Sequence, residues 1–205
     1  MSSTDATDPG PSAIVHLIGY PGVGKYTVGR ELVRLADESG RRLVLVDNHL
    51  TANVVLSVLP EGGPDPLPQE VWDRVEDVRS VLRASILELS PPDWSFVFTN
   101  VALEGDEADR LSIGRVAELA EQRGSAYVPV RLHCDGEEHL RRVVDPGRAE
   151  RNKWRDADAV RSFVASAPLI EVHHPSVLDL DVTDRSPSDT ARVVLEHVRS
   201  VERRG

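Results

Sequence analysis

Cysteine, lysine and aromatic residues are all scarce in this chain. Cys134 is the lone cysteine among 205 residues, which excludes a disulfide scaffold and a thiolate-based zinc site. Lysine and arginine together number 24, yet only Lys25 and Lys153 are lysines, so positive charge is otherwise carried by arginine. Aspartate and glutamate number 34, and the formal net charge of −10 argues against bulk binding to nucleic acid or to an anionic membrane. No apolar run approaches the roughly 20 residues of a membrane span. The opening MSSTDATDPGP has neither a basic nor an apolar stretch, so no secretory signal is read there. Residues 1–11 are expected to form a disordered tail and residues 12–205 one domain of a cytoplasmic protein.

What is present alternates in period. Ser12–Gly19, Arg42–Asp47, Ser95–Val101, Ser125–Cys134 and Ser176–Val182 are short and largely apolar, and read as five strands. Pro129 implies that the first half of the fourth is irregular or near an edge. Between strands, Val28, Leu32 and Leu35 recur at helical spacing within Lys25–Ser39, and Gly40 stops that helix. The stretch Gln69–Leu89 carries Val71, Val75, Val78, Leu82, Ile86 and Leu89 on one helical face, with Trp72 expected to pack beside it. Helices are also read over Thr51–Leu59, Asp106–Gln122, Asp156–Ala167 and from Ser186-Pro187 to about Glu202, and Asp135-x-x-Glu138 has the form of a capping box. Strands alternating with helices imply an α/β fold, a five-stranded parallel sheet with helices on both faces, and ligands at the carboxyl ends of its strands.

The sharpest motif joins the first strand to the first helix: Gly19-Tyr20-Pro21-Gly22-Val23-Gly24-Lys25-Tyr26-Thr27. Glycines let a tight loop turn its amides inward, and the helix mouth adds its positive end. A lysine after the last glycine reaches the β- and γ-phosphates of a nucleotide, and a hydroxyl beyond it meets Mg²⁺ directly or through water. Here Tyr26 occupies the usual hydroxyl position and Thr27 follows one place later.

This G-x-P-G-x-G-K-x-T form resembles the phosphate-binding loop of adenylate kinase and of related nucleotide and small-molecule kinases. Marks of other branches are missing: there is no Asn/Thr-Lys-x-Asp motif, no Leu-Ser-Gly-Gly-Gln, and the third strand ends Phe98-Thr99-Asn100 rather than Asp-Glu. In layout, residues 12–203 resemble the compact branch that includes shikimate and gluconate kinases. The resemblance implies a P-loop fold with strand order 2-3-1-4-5, ATP and Mg²⁺ as cofactors, and transfer of the γ-phosphoryl group to a hydroxyl of a small-molecule acceptor.

It also implies roles for particular residues. Gly19, Pro21, Gly22, Val23, Gly24, Lys25, Tyr26 and Thr27 would bind the nucleotide, with Lys25 bridging its phosphates and Thr27 positioning Mg²⁺. Asp47, at the end of the second strand, would orient the acceptor hydroxyl or accept its proton, with His49 nearby. Asn100 would bond substrate or a metal-bound water. Residues 141–155 hold six basic side chains against two acids, and the resemblance makes residues 145–155 a lid, with Arg148 and Arg151 catalytic and Lys153 on the substrate. Arg185, in the loop after the fifth strand, would stack on the base. The segment from about 48 to 80 would form the acceptor pocket.

Two alternatives stand beside this reading. A nucleotide-binding hydrolase or regulator with little transfer activity is favoured by Tyr26 and by Asn100, where some kinases place an acid. A polynucleotide-end kinase needs a basic groove, which the charge balance disfavours.

Overall fold

The computed structural model describes residues 12–60, 67–144 and 157–204. The expected tail (1–11) and lid (145–155) therefore lie outside the described residues.

Twelve elements are described, in the order β1 (Ala13–Ile18), α1 (Lys25–Glu38), β2 (Leu43–Asp47), α2 (Asn48–Leu56), α3 (Gln69–Leu89), β3 (Ser95–Asn100), α4 (Glu107–Arg123), β4 (Ala126–His133), α5 (Gly136–Val143), α6 (Ala157–Ser166), β5 (Leu178–Asp181) and α7 (Pro187–Glu202). The strands form one parallel sheet, as their alternation with helices implies, in the order β2-β3-β1-β4-β5 that the family resemblance implies. No described helix is long and apolar enough to cross a membrane.

Side chains alternate across β1 and divide the core in two. Ala13, Val15 and Leu17 pack with Val28 and Leu32 of α1 and with Ala191, Val194 and Val198 of α7. Ile14, on the other face, packs with Ile86 of α3 and Val116 and Leu119 of α4. Both faces are covered, which is why the strands read as continuous apolar runs.

Pro129 sits where its missing N–H does no harm. Ala126 donates its amide to Ser12 of the β1 side at 2.9 Å, so odd-numbered residues of β4 point their amides the other way. On that side β5 pairs only from Val130 onward, and Pro129 precedes the pairing.

α2 starts three residues earlier than the sequence suggested. The Asn48 amide is held by the Thr99 hydroxyl at 3.0 Å, a partner supplied by another strand. Trp72 is 42% exposed rather than packed: α3 buries Val75 and Ile86, and Trp72 lies off that line. At α5 the Asp135 side chain does cap the Glu138 amide, at 2.8 Å. The reciprocal half of the box is absent, because Glu138 is drawn to Arg141 and Arg142 and the Asp135 amide bonds Thr183 Oγ1 instead.

One polar side chain interrupts β1. His16 is fully buried; its Nε2 donates to Asn100 Oδ1 and its Nδ1 accepts from the Tyr127 hydroxyl, each at 3.0 Å. That pattern requires a neutral ring, and burial pushes its pKa down to about 4. The unfolded chain, titrating near 6.5, takes up the proton first as pH falls. Stability from this group is therefore complete above about pH 6.5 and is lost progressively toward pH 4, by about 3 kcal/mol. Urea unfolding at pH 7 and pH 4.5 checks this: the wild type is expected to lose more than His16→Gln does, and equal losses would exclude His16 as the source.

Candidate active site

The chain leaves β1 through a loop whose glycines answer to specific neighbours. The Gly19 amide donates to the Asn100 carbonyl at 3.2 Å. A Cβ on Gly19 would stand 2.7 Å from the Leu132 carbonyl oxygen and 2.8 Å from Val23 Cγ1, so the backbone passes where no side chain fits. Gly22 has φ +103°, and its Cβ would also meet Val143 Cγ2 at 2.7 Å. Gly24 caps α1 in the left-handed region; no side chain caps that end and no acid occupies its first turn. The first amides of α1 thus face outward with the positive end of the helix behind them. Lys25 Nζ donates to the carbonyls of Gly19 at 2.5 Å and Tyr20 at 2.9 Å, which places an ammonium group at the loop.

α5 forms a wall against this loop. His139 is buried, and its Nε2 donates to the Pro21 carbonyl at 2.7 Å. Arg142 donates to the Val23 carbonyl at 3.0 Å and to the carbonyls of Val182 and Thr183 at 2.7 and 3.2 Å, so it ties the loop to the segment between β5 and α7. Glu138 orients Arg142 through Nε at 2.6 Å. Hydrogen bonds from Arg141 and then Arg142 hold the Glu138 carboxyl down at about 2. Tyr20 reaches past the loop to donate to the Ala167 carbonyl at 2.9 Å, with its ring edge against Phe163.

Between the loop, α5 and the start of α7 lies a cavity of about 710 Å³, a size suited to a small ligand or cofactor. Gly22, Gly24, Thr27, Arg142, Arg185 and Thr190 are among its lining residues. Thr27 is exposed and shares this wall with Thr190 at the start of α7. Arg185 is exposed, with Nε held by the Asp181 carbonyl at 3.1 Å. Tyr26 is half-buried.

The other flank of β1 carries Asp47. Register pairs Asp47 with Thr99, and the Thr99 hydroxyl donates to Asp47 Oδ1 at 2.6 Å. Among the described residues no hydrogen bond engages Oδ2. Asn48, Thr51, Arg79 and Arg83 line the same hollow as Asp47. His49 is half-buried on the first turn of α2. Asn100 is buried beneath the loop: its Oδ1 accepts from His16, its Nδ2 donates to Ser112 Oγ at 3.3 Å, and its carbonyl holds Gly19. Arg148, Arg151 and Lys153 lie outside the described residues.

Sequence reasoning missed Arg142, His139, Glu138 and Thr99. A signal existed only for Thr99, which ends β3 directly beside the end of β2.

No family model matches this chain, and no curated protein matches it. Among solved structures it is similar to a gluconokinase from Sinorhizobium meliloti, at 17% identity and a TM-score of 0.57, covering 94% of this chain and 95% of that one. It is similar to the APS kinase of Mycobacterium tuberculosis in complex with AMPPNP and APS, at 18% identity and a TM-score of 0.58, covering 93% and 99% of the two chains. A third similar structure is Kti12 of Chaetomium thermophilum in complex with ADP-AlF3, at 16% identity and a TM-score of 0.53, covering 92% and 98%. The fold of this chain is that of the P-loop kinases.

Proposed function

We propose that this protein transfers the γ-phosphoryl group of ATP to a hydroxyl of a small-molecule acceptor. The observation that carries the reading is the glycine loop closed by Lys25 at the uncapped mouth of α1, opening on a cavity of about 710 Å³. Amides of residues 22 to 27 receive the phosphates, and Lys25 exchanges its two loop carbonyls for phosphate oxygens. Thr190, Arg185 and residues 182–184 border the far end, where the nucleoside would lie. Thr27 supplies the hydroxyl oxygen that would hold Mg²⁺ directly or through water. Bound Mg²⁺ would neutralise charge on the phosphates. On the opposite flank, Asp47 presents its Oδ2 to the acceptor hydroxyl while Thr99 holds its Oδ1.

Calorimetric titration with Mg-AMPPNP tests the nucleotide half. Saturable binding is expected, and absence of heat would end the proposal. Arg142→Met should weaken that binding about tenfold, because the loop and the β5–α7 segment lose their common tie. An unchanged affinity in this variant would show that the tie is irrelevant to the ligand.

A second reading, a nucleotide-binding hydrolase or regulator, draws on two observations. Tyr26 replaces the usual hydroxyl, and the Asn100 amide is occupied inside the core. Phosphate release without an acceptor, unchanged by a panel of hydroxy compounds, would select it.

A further inference from the structure

Tyr20 is gripped by different parts of the chain at its two ends. Its carbonyl accepts from Lys25 Nζ at 2.9 Å, and its hydroxyl donates to the Ala167 carbonyl at 2.9 Å. Between the two, its ring stands 6.1 Å from that of His139 and meets Phe163 edge to face at 6.2 Å. Ala167 directly follows α6, at the end where a helix leaves carbonyls without partners of its own. The Tyr20 hydroxyl meets that need from 147 residues away.

Ala167 opens a strap that runs to the exit of β3. The Glu104 amide donates to the Pro168 carbonyl at 2.8 Å and the Ile170 amide to the Ala102 carbonyl at 3.0 Å, with Leu103 and Leu169 paired antiparallel between them. The Glu171 amide adds a bond to Glu104 Oε2 at 3.2 Å. Residues 167–171 thus tie the glycine loop on one side to residues 102–104 on the other, just beyond Thr99, which holds Asp47. This pairing is an isolated bridge outside the five-stranded sheet, so it opens more readily than the strands of the sheet.

The tie matters when the loop fills. Lys25 now fixes the Tyr20 carbonyl, and it leaves that carbonyl to meet phosphate oxygens. The carbonyl then keeps a long bond from the Val23 amide, at 3.3 Å. From that moment the place of Tyr20 depends on its side chain, with the hydroxyl on Ala167 and the ring between His139 and Phe163. We propose that Tyr20 is a positioning residue: it holds the first half of the loop through the strap while Lys25 serves the phosphates, so that nucleotide binding and strap closure favour each other. The inference rests on the nucleotide reading of the loop. The coupling is reciprocal, because the factor that a closed strap adds to nucleotide affinity is the factor that bound nucleotide adds to strap closure. A bond that merely stapled α6 to the loop would stabilise the empty and the filled protein alike.

The test follows amide hydrogen exchange in the full chain, with and without saturating Mg-AMPPNP, beside calorimetric affinity. In the wild type, nucleotide should slow exchange of the Glu104 and Ile170 amides about three- to tenfold, the worth of one hydrogen bond. The Gly124 amide, at the C-terminal end of α4, should not respond. Tyr20→Phe keeps the ring and loses the hydroxyl. It should bind Mg-AMPPNP about three- to tenfold more weakly and lose the slowing at Glu104 and Ile170. Phe163→Leu withdraws the ring packed against Tyr20, leaves the hydroxyl in place, and should weaken binding about twofold. Wild-type affinity in both variants overturns the proposal, as does nucleotide-dependent slowing that survives in Tyr20→Phe. Strap exchange that ignores nucleotide in a wild type that gives heat with Mg-AMPPNP overturns it too, and leaves the kinase reading standing. Absence of that heat would instead remove the nucleotide reading itself.

Discussion

Lys25→Met is expected to abolish ATP-dependent transfer, lowering kcat by about a thousandfold or more, while the fold survives. The two effects separate because of what Lys25 touches. Among the described contacts, its ammonium group bonds two partly buried loop carbonyls, those of Gly19 and Tyr20. Hydrogen bonds of that kind are worth about 1–3 kcal/mol together, a shift of a few degrees in Tm for a chain of this size. During transfer the same group would face charge gathering on the phosphoryl oxygens, where a lost cation costs several powers of ten. Turnover measured against a thermal melt of the same preparation decides the matter. Retained turnover in a folded variant would remove Lys25 from the mechanism.

Asp47→Asn is expected to lower transfer by about a hundredfold to ten-thousandfold and to leave Mg-AMPPNP affinity within about twofold. Asparagine keeps an oxygen for the Thr99 hydroxyl, so the end of β2 should hold its position. What disappears is the negative charge that would align the acceptor and take its proton. Parallel losses in transfer and nucleotide affinity would instead assign Asp47 to the nucleotide.

The sheet was legible because burial on both faces leaves each strand a short apolar run, and only His16 breaks the first of them. The loop was legible because its glycines, lysine and hydroxyl are contiguous. Residues that act across the fold were not. Nothing near Asn48 in the chain shows that Thr99 will start α2 early, since that partner arrives only when β2 and β3 pair. Arg142 reads as one more cation on a short helix, and its three carbonyl partners come from segments about 40 and 119 residues away. Glu138 has the spacing of a capping acid, yet two arginines on its own helix outcompete the amide. Glu76, Arg79 and Arg83 look like a solvated charged face until Arg115 is laid beside them.

The middle position of β1 has an evolutionary corollary. Residues of α5, of the segment after β5 and of the start of α7 border the cavity of about 710 Å³, whereas residues of β2, α2, α3 and α4 border the hollow on the other flank of β1. Under the proposed function, a lineage would be free to exchange one clientele for another by rewriting the stretch between Asp47 and Arg115, with its energy currency untouched.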